Sequence, residues 1–323
     1  MQSKSIPPAP FRAALLAWYE ANARPLPWRQ YAPPNPYAIW LAEIMLQQTT
    51  VAAVIPYYKR FLASFPTVQA LAEADIQAVL HHWQGLGYYR RAHLLHACAK
   101  AVVTHHNRHF PGTEAALLTL PGIGPYTAAA IASLAFNQPA TVVDGNVERV
   151  VSRLHRVQTL LPAAKPALRT LAQALACPQN PQAYANAIME LGATVCTPTN
   201  PACPTCPVAT FCHAAHHGDA TTYPRKPAKT KVPHLHATAY VLTDARGHIR
   251  LSQRHATGML GGLWEVLTAC PTQPNPLGFP ASLNAMPADY TVAGTITHTF
   301  SHFKLTVEVR HATVAKHPKA NAF

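Results

Sequence analysis

The chain has 323 residues and is strongly basic, with 26 lysines and arginines against 13 acidic residues and a formal charge of +13 at pH 7. This length allows a large buried core and suggests two domains. The charge favours a polyanionic partner, most often nucleic acid, with a membrane surface as the weaker alternative. No apolar stretch is long enough to span a membrane, and residues 1–10 lack the pattern of a secretory signal. We therefore expect a cytoplasmic protein.

The pattern along the chain changes once. Alanine-rich amphipathic stretches separated by proline or glycine predict helices over residues 11 to about 217. Proline and lysine without an apolar face follow, which is typical of an extended linker. We predict a mainly α domain over residues 1–222, a linker over 223–235 and an α+β domain over 236–323.

Alternation with period two marks the C-terminal part. Residues 236–243 and 249–252 flank a turn at Asp244–Gly247 and predict a hairpin. Residues 295–300 and 304–310 predict a second strand pair. Residues 271–287 are rich in proline and predict an irregular connection.

Glu43 is the first candidate for catalysis along the chain. Asn35 and Pro36 predict a helix start, as N-cap and first-turn proline. Glu43 then lies on an apolar face, because its neighbours at helical spacing are Ile39, Trp40, Leu46 and Gln47. Burial raises the pKa of a carboxyl group, which suits a general acid near neutral pH. A glutamate satisfied by an internal arginine or by backbone amides is the alternative, and we favour catalysis.

Two glycines between short helical segments predict a phosphate-binding hairpin. Gly122 and Gly124 separate a helix predicted over residues 113–119 from one over 125–135. Glycine lets the backbone approach a ligand closely, and a helix N-terminus offers free N–H groups and partial positive charge. The unit is therefore a helix–hairpin–helix. On this spacing alone, an ordinary αα-hairpin is about equally favoured.

Asp144 lies twenty residues after Gly124, between an extended segment and a helix predicted over 147–156. An N-cap role alone would explain an aspartate here, and it is compatible with chemistry because a cap fixes the carboxylate. Two carboxylates in unlike surroundings can divide the work of bond cleavage. One donates a proton and the other stabilises a cationic sugar.

Four of the seven cysteines are crowded into seventeen residues, at Cys196, Cys203, Cys206 and Cys212. Four thiolates can bind zinc or a [4Fe–4S] cluster, and the spacing favours neither. Disulfides are less expected in a reducing compartment. The other three cysteines, Cys98, Cys177 and Cys270, are expected to be buried apolar residues.

Taken in order, these motifs resemble the endonuclease III superfamily of DNA glycosylases, and more closely the adenine DNA glycosylases of the MutY type. Almost the whole chain takes part in the resemblance. The matching pieces are Leu26–Arg29, Glu43–Thr49, Gly85–Tyr89, Leu120–Gly124, Val143–Asn146, the cysteine quartet and Phe300–His302. In this family the quartet binds a [4Fe–4S] cluster, so the resemblance implies that cofactor and not zinc. It also implies a bacterial protein of the cytoplasm, associated with the nucleoid.

The resemblance implies a monofunctional enzyme, because bifunctional relatives carry a Schiff-base lysine where this chain has Tyr126. The implied substrate is adenine mispaired with 8-oxoguanine or guanine in duplex DNA, flipped out of the helix. Glu43 would protonate adenine at N7 and Asp144 would stabilise the oxocarbenium ion. Tyr126 and Asn146 would position these groups and the water.

The same resemblance implies contacts to DNA. Four residues would fill or flank the gap in the base stack, and the two hairpin glycines would meet the phosphate: Gln48, Thr49, Leu86, Tyr88, Gly122 and Gly124. Core positions for Leu86 and Tyr88, and an ordinary helix end at 48–49, are the alternatives. Arg29 is expected near the adenine pocket, although two more residues than usual separate it from Glu43.

The C-terminal domain resembles the Nudix-fold module that reads 8-oxoguanine, through Gly258–Glu265 and Phe300–His302. The dense Arg-Glu-x-x-Glu-Glu cluster that holds magnesium in Nudix hydrolases is missing from the sequence, so the module is expected to recognise and not to hydrolyse. Ser301 and His302 are expected at a hairpin tip, where a plain turn is the alternative. A monomer is expected, since a damaged site has no two-fold symmetry.

Three other functions fit parts of the sequence. A pyrimidine-damage glycosylase with lyase activity is disfavoured by Tyr126 and by the C-terminal domain. A structural DNA-binding protein leaves Glu43 unexplained. Electron transfer through a metal cluster would explain the four clustered cysteines but not the features that indicate DNA binding.

Overall fold

The computed structural model describes residues 6–228, 231–255, 258–283 and 289–315. The chain divides into two compact units, Met1–Ala228 and Lys229–Phe323. Within the described residues, no helix combines the length and the apolar character needed to cross a membrane.

The N-terminal unit is built from helices, as the sequence predicts. Their bounds are α1 Pro8–Asn22, α2 Pro36–Leu46, α3 Val51–Ser64, α4 Val68–Glu73, α5 Ile76–Trp83, α6 Arg90–His105, α7 Glu114–Leu117, α8 Pro125–Phe136, α9 Gly145–His155, α10 Lys165–Leu175, α11 Pro181–Thr194 and α12 His213–His216. Short 3₁₀ turns lie at Pro27–Arg29, Cys203–Thr205, Ala209–Phe211 and Ala220–Thr222.

Side-chain caps fix where several of these helices begin. The Asn35 side chain accepts a hydrogen bond from the Ala38 amide at 3.2 Å, which confirms the predicted start of α2. Thr113 caps α7 and Asp144 caps α9 in the same way. Each cap satisfies an amide that the helix itself leaves without a partner, which typically stabilises the helix by about 1 kcal/mol.

Helix α2 is the central element of this unit. Every residue from Tyr37 to Met45 is buried, and the helix packs against α3 and α8. Helix α8 in turn packs on α11, which contacts α1 and α9. A polar side chain on α2 is therefore forced to find its partners inside the protein.

The C-terminal unit contains two sheets in its described residues. The strands are β1 His234–Thr243, β2 Ser252–Gln253, β3 Trp264–Glu265, β4 Leu267–Ala269, β5 Thr291–Thr299 and β6 Lys304–Thr313. Four of them form a sheet in the order β4-β1-β6-β5, with β1 and β6 parallel, and β2 pairs with β3. The hydrophobic core of this unit is small and includes Leu235, Phe303 and Leu305.

The second strand pair is confirmed as β5 and β6, which pair antiparallel. The first hairpin is only half right. The turn forms, with Asp244 accepting hydrogen bonds from the Arg246 and His248 amides, but Ile249 makes only an isolated bridge to Thr243. Ser252 and Gln253 pair with β3 instead. Alternation of apolar and polar residues predicts a strand, but it does not specify which of two similar strands is its partner.

The predicted linker is partly ordered at both ends. Tyr223 is buried in the N-terminal unit and its carbonyl accepts a hydrogen bond from Arg153. Strand β1 begins at His234, inside the segment predicted as linker. Residues 271–283 contain no helix or strand, and residues 284–288 of the predicted irregular connection lie outside the described residues.

Candidate active site

A cavity of about 1190 Å³ opens in the N-terminal unit. Eight of the residues singled out in the sequence line it: Arg29, Glu43, Gln48, Thr49, Tyr88, Tyr126, Asp144 and Asn146. They come from the 3₁₀ turn at Pro27–Arg29, from α2, from the loops that follow α2 and α5, and from the starts of α8 and α9. The volume is of the size that holds a small-molecule ligand.

Glu43 is buried in the wall of this cavity, with only 5% of its surface exposed. The Tyr126 hydroxyl donates a hydrogen bond of 2.6 Å to its Oε2 atom. The pKa of Glu43 is raised to about 7, because burial and, to a lesser degree, the charge of Asp144 outweigh the lowering effects of the Tyr126 hydrogen bond and of Arg29. A carboxyl group in this position can hold a proton at neutral pH and give it up.

Asp144 is fixed by contacts to both of its carboxylate oxygens. Oδ1 accepts a hydrogen bond from the Val147 amide and Oδ2 accepts one from the Asn146 side chain, each at 2.7 Å. Burial raises the pKa of Asp144, although these hydrogen bonds lower it. The Asp144 carboxylate therefore caps α9 and lines the cavity at the same time, as the sequence suggested.

Asn146 is itself held from the other side. Its Oδ1 accepts a hydrogen bond of 2.9 Å from Arg149, which also donates to the carbonyl groups of Gly192 and Cys196. Gly192 permits this close approach of α9 and α11, because a Cβ there would lie 2.6 Å from the Cβ of Asn146. Any larger residue at 192 would push Asn146 away from Asp144.

Sequence reasoning missed a second buried carboxylate in this cavity. Glu190, on α11, is 1% exposed and binds Arg24 and Arg29, the latter at 3.0 Å. Burial raises the pKa of Glu190, but the hydrogen bond from Arg24 and the charge of Arg29 outweigh it, and the net pKa is lowered. An acid among the apolar residues of a helix was the signal that singled out Glu43, and it was also present at Glu190.

Arg29 therefore lies in the cavity with one guanidinium nitrogen already bound to Glu190. The guanidinium also lies 5.7 Å from the centre of the Tyr19 ring. The Arg29 side chain is 17% exposed and presents hydrogen-bond donors to the cavity, while Glu190, whose side chain has no exposed surface, holds it in place. A guanidinium fixed in this way can donate hydrogen bonds to the edge of a planar heterocycle.

Two loops form the rim of the cavity. Gln48 and Tyr88 are exposed, and Thr49 is half-buried. For Tyr88, with 48% of its surface exposed, the core alternative is wrong. Leu86 is 7% exposed and belongs to the hydrophobic core of this unit, so its contact with DNA stays a prediction.

The helix–hairpin–helix is present between α7 and α8. Gly122 has φ +75°, a conformation that favours glycine, and a Cβ there would lie 2.8 Å from Leu94. Gly124 is the N-cap of α8, with extended backbone and no atom within 4 Å of the place of a Cβ. Gly122, Gly124 and Pro125 are exposed, so an anion can reach this turn at the N-terminus of α8.

The four clustered cysteines, Cys196, Cys203, Cys206 and Cys212, line one small cavity of about 20 Å³. No group of three or more histidine, cysteine, aspartate or glutamate side chains in the described residues has the geometry of a metal site. The residues nevertheless suit an anionic metal–thiolate centre. Arg153, 1% exposed, donates a hydrogen bond of 3.2 Å to the Cys196 Sγ and its other hydrogen bonds go to the carbonyl groups of Thr197, Pro198 and Tyr223. A buried guanidinium with such neighbours is stabilised by negative charge on the sulfurs.

In the C-terminal unit, Ser301 and His302 are exposed at the turn between β5 and β6. The Phe300 amide donates to the Phe303 carbonyl at 2.8 Å and closes the turn, and the two phenyl rings stack at 4.5 Å. The position at a hairpin tip is confirmed. Its role in reading a base stays a prediction.

The arrangement in the cavity suits cleavage of a bond to a nitrogen heterocycle. One carboxyl group can hold a proton near neutral pH and a second is fixed by hydrogen bonds, while Arg29 offers hydrogen-bond donors to the ring. A proton donor and an anion in one buried site are what a leaving group and a cationic intermediate require.

Family models match both units of the chain. Residues 41–177 match the HhH-GPD superfamily of base excision DNA repair proteins, and residues 238–322 match the NUDIX domain. The fold of the helical unit is similar to that of solved glycosylases. A thermostable thymine-DNA glycosylase aligns with a TM-score of 0.58 at 27% identity, over 64% of this chain and 95% of that one. Endonuclease III in a non-covalent complex with DNA aligns with a TM-score of 0.55 at 22% identity, over 64% and 94%.

Over almost the whole of this chain, the similarity is to adenine DNA glycosylases. The human protein is 36% identical over 93% of this chain and 66% of its own length, and the mouse protein is 35% identical over 97% and 72%. The chain thus spans about two thirds of the length of these relatives. The chain belongs to the HhH-GPD superfamily of base excision DNA repair proteins and, within it, to the adenine DNA glycosylase family.

Proposed function

We propose that this protein removes adenine mispaired with 8-oxoguanine or guanine from duplex DNA by hydrolysing its N-glycosidic bond. The observation that carries the proposal is Glu43, a buried carboxyl group with its pKa raised to about 7, in one cavity with the fixed carboxylate of Asp144. The names of the relatives support adenine as the base, and the Nudix-like unit supports recognition of the opposite base.

In the proposed reaction the Glu43 carboxyl group donates its proton to N7 of the flipped adenine. The C1′–N9 bond then breaks and its electron pair leaves with the neutral base. Asp144 stabilises the positive charge that develops on the deoxyribose. Water adds at C1′ and loses its proton to a carboxylate, with Tyr126 and Asn146 positioning the two acids.

The proposed partner is double-stranded DNA, bound by a monomer in the bacterial cytoplasm, at the nucleoid. The charge of +13 supports this partner, as does the exposed turn of Gly122 and Gly124 before α8. Gln48, Thr49, Leu86 and Tyr88 would fill the space that the flipped base leaves. Arg29 would contact the adenine.

We further propose that Cys196, Cys203, Cys206 and Cys212 hold a [4Fe–4S] cluster, which supplies a covalent cross-link of their loop. The shared cavity and the buried Arg153 support this assignment. Purified protein should contain about four iron and four sulfide per chain and absorb visible light. Tightly bound zinc without iron would contradict it.

The Nudix-like unit is proposed to read 8-oxoguanine through Ser301 and His302. Replacing both with alanine should reduce the preference for adenine opposite 8-oxoguanine over adenine opposite guanine. Equal relative rates on the two mispairs in the variant and the parent protein would remove this role.

The proposed activity is tested by single-turnover excision from a duplex with one adenine opposite 8-oxoguanine. Samples are divided, and half are treated with heat and alkali. Strand breaks only after alkali support a monofunctional glycosylase. Breaks without alkali mean lyase activity, and no breaks in either sample, despite DNA binding, contradict the proposal.

A further inference from the structure

Arg91, at the start of α6, holds both loops of the cavity rim together. It is 9% exposed, and its Nη1 donates to the carbonyl groups of Ile44 and Met45, at 2.9 and 3.0 Å, and to that of Gln47. Its Nη2 lies within hydrogen-bond distance of Thr49 Oγ1 at 3.3 Å and of the Leu86 and Gly87 carbonyl groups at 3.2 and 3.3 Å. One guanidinium thus joins the end of α2 to the loop after α5.

This arginine is stabilised without a carboxylate. Among the described residues, none of the ion pairs involves Arg91, and its charge faces carbonyl dipoles and two aromatic rings, Trp83 at 5.3 Å and Tyr88 at 5.4 Å. Burial lowers the pKa of Arg91 to about 10, so it remains protonated at neutral pH. A buried cation is costly, and its hydrogen bonds here go to carbonyl groups of the last turn of α2 and of the loops after α2 and α5, and to the Thr49 hydroxyl.

The backbone that Arg91 binds has an unusual conformation. Gln48 and Tyr88 have φ of +61° and +50°, in the left-handed region that residues other than glycine rarely adopt. Each directly follows a residue whose carbonyl accepts from Arg91, namely Gln47 and Gly87. Such a conformation costs on the order of 1 kcal/mol per residue, and it persists only where surrounding contacts enforce it.

We propose that Arg91 is a positioning residue that locks residues 46–50 and 84–89, here named the paired rim loops, in the shape that replaces the flipped base. This inference rests on the proposed function, because the loops need a shape of their own only if a base leaves the stack beside them. Ordering a free loop costs about 1 kcal/mol or more per residue. Because Arg91 orders the loops when the protein folds, DNA binding does not have to order them, and more of the binding free energy is available for extruding the base.

The test separates extrusion from chemistry. Single-turnover excision is compared for adenine opposite guanine and for adenine opposite an abasic site, where no base pair has to be broken. Arg91→Gln and Arg91→Lys should slow the paired substrate at least tenfold more than the unpaired one, with lysine the milder change because it cannot reach both loops. Arg90→Gln, at the exposed neighbour, removes the same charge without these contacts and should act equally on both substrates.

Hydrogen exchange of the free protein is the second measurement, and it does not depend on the reaction. In Arg91→Lys, amides of the paired rim loops should exchange at least tenfold faster, while those of α8 and α9 should not change. Equal slowing on both substrates would overturn the proposal, since it would mean damage to the Glu43 region or to the fold. Unchanged exchange in the loops would overturn it as well. If the parent protein excises no adenine from either duplex, the proposed function fails, and the exchange result still decides whether Arg91 orders the loops.

Discussion

The cavity contains two buried glutamates whose charges are set in opposite ways. Glu43 has a tyrosine hydroxyl and a second acid, Asp144, beside it, and burial raises its pKa to about 7. Glu190 is at least as buried but binds two arginines, and its pKa is lowered. The two residues are of the same type in one cavity, so the neighbours alone decide which one can donate a proton.

This difference assigns different tasks to the two walls. The wall of Glu43 can supply a proton, while the wall of Glu190 keeps an ionised acceptor and two cations in fixed positions. Changes to the Glu43 wall should therefore act mainly on the rate of excision, and changes to the Glu190 wall mainly on stability.

Glu43→Gln should have the largest effect. Glutamine keeps the shape and can still accept the Tyr126 hydrogen bond, but it has no proton to donate, so single-turnover excision should fall by about 10² to 10⁴-fold. The melting temperature should not fall, because a buried carboxyl group is replaced by a neutral amide. Near-normal excision by this variant would remove Glu43 as the acid.

Glu190→Gln should instead act on stability. It leaves Arg24 and Arg29 without their anion, and since Arg24 is one third exposed we expect a loss of about 2 kcal/mol in the free energy of unfolding, less than for a fully buried pair. For a unit of this size the melting temperature should fall by about 4–8 °C. Glu20→Gln, an exposed glutamate on α1, is the control and should melt with the parent protein. If both variants melt alike, the two arginines do not depend on Glu190.

The pH dependence of excision should report both carboxylates of the reaction. Glu43 acts protonated, so the rate should fall about tenfold per pH unit above its pKa of about 7. Asp144 acts ionised, and because its pKa is raised the rate should also fall in acid, at a higher pH than for an ordinary aspartate. A rate that does not change between pH 6 and 9 would contradict protonation by Glu43.

The sequence predicted most of the Glu43 wall but only Arg29 of the Glu190 wall. Glu43 and Asp144 follow local signals, an acid on an apolar helix face and an aspartate at a helix start. The pairing of Glu190 with Arg24 and Arg29 joins residues more than 160 positions apart, and no local pattern specifies which basic residue meets a buried acid. The predicted pairing of residues 249–252 with β1 was also wrong, because the local pattern does not specify the partner strand. Ser252 and Gln253 pair with β3 instead.

Tyr126→Phe should have the smallest effect and distinguish positioning from proton donation. The hydroxyl stabilises the ionised form of Glu43, so its removal should raise the pKa of Glu43. The alkaline limb of the pH profile should then move to higher pH. Below pH 7 the variant should be about two- to tenfold slower, because one hydrogen bond that orients the acid is lost. Above pH 8 the difference should shrink, since more of the variant retains the proton. A uniform loss at every pH would mean that Tyr126 acts on the base or the water, and that Glu43 titrates independently of it.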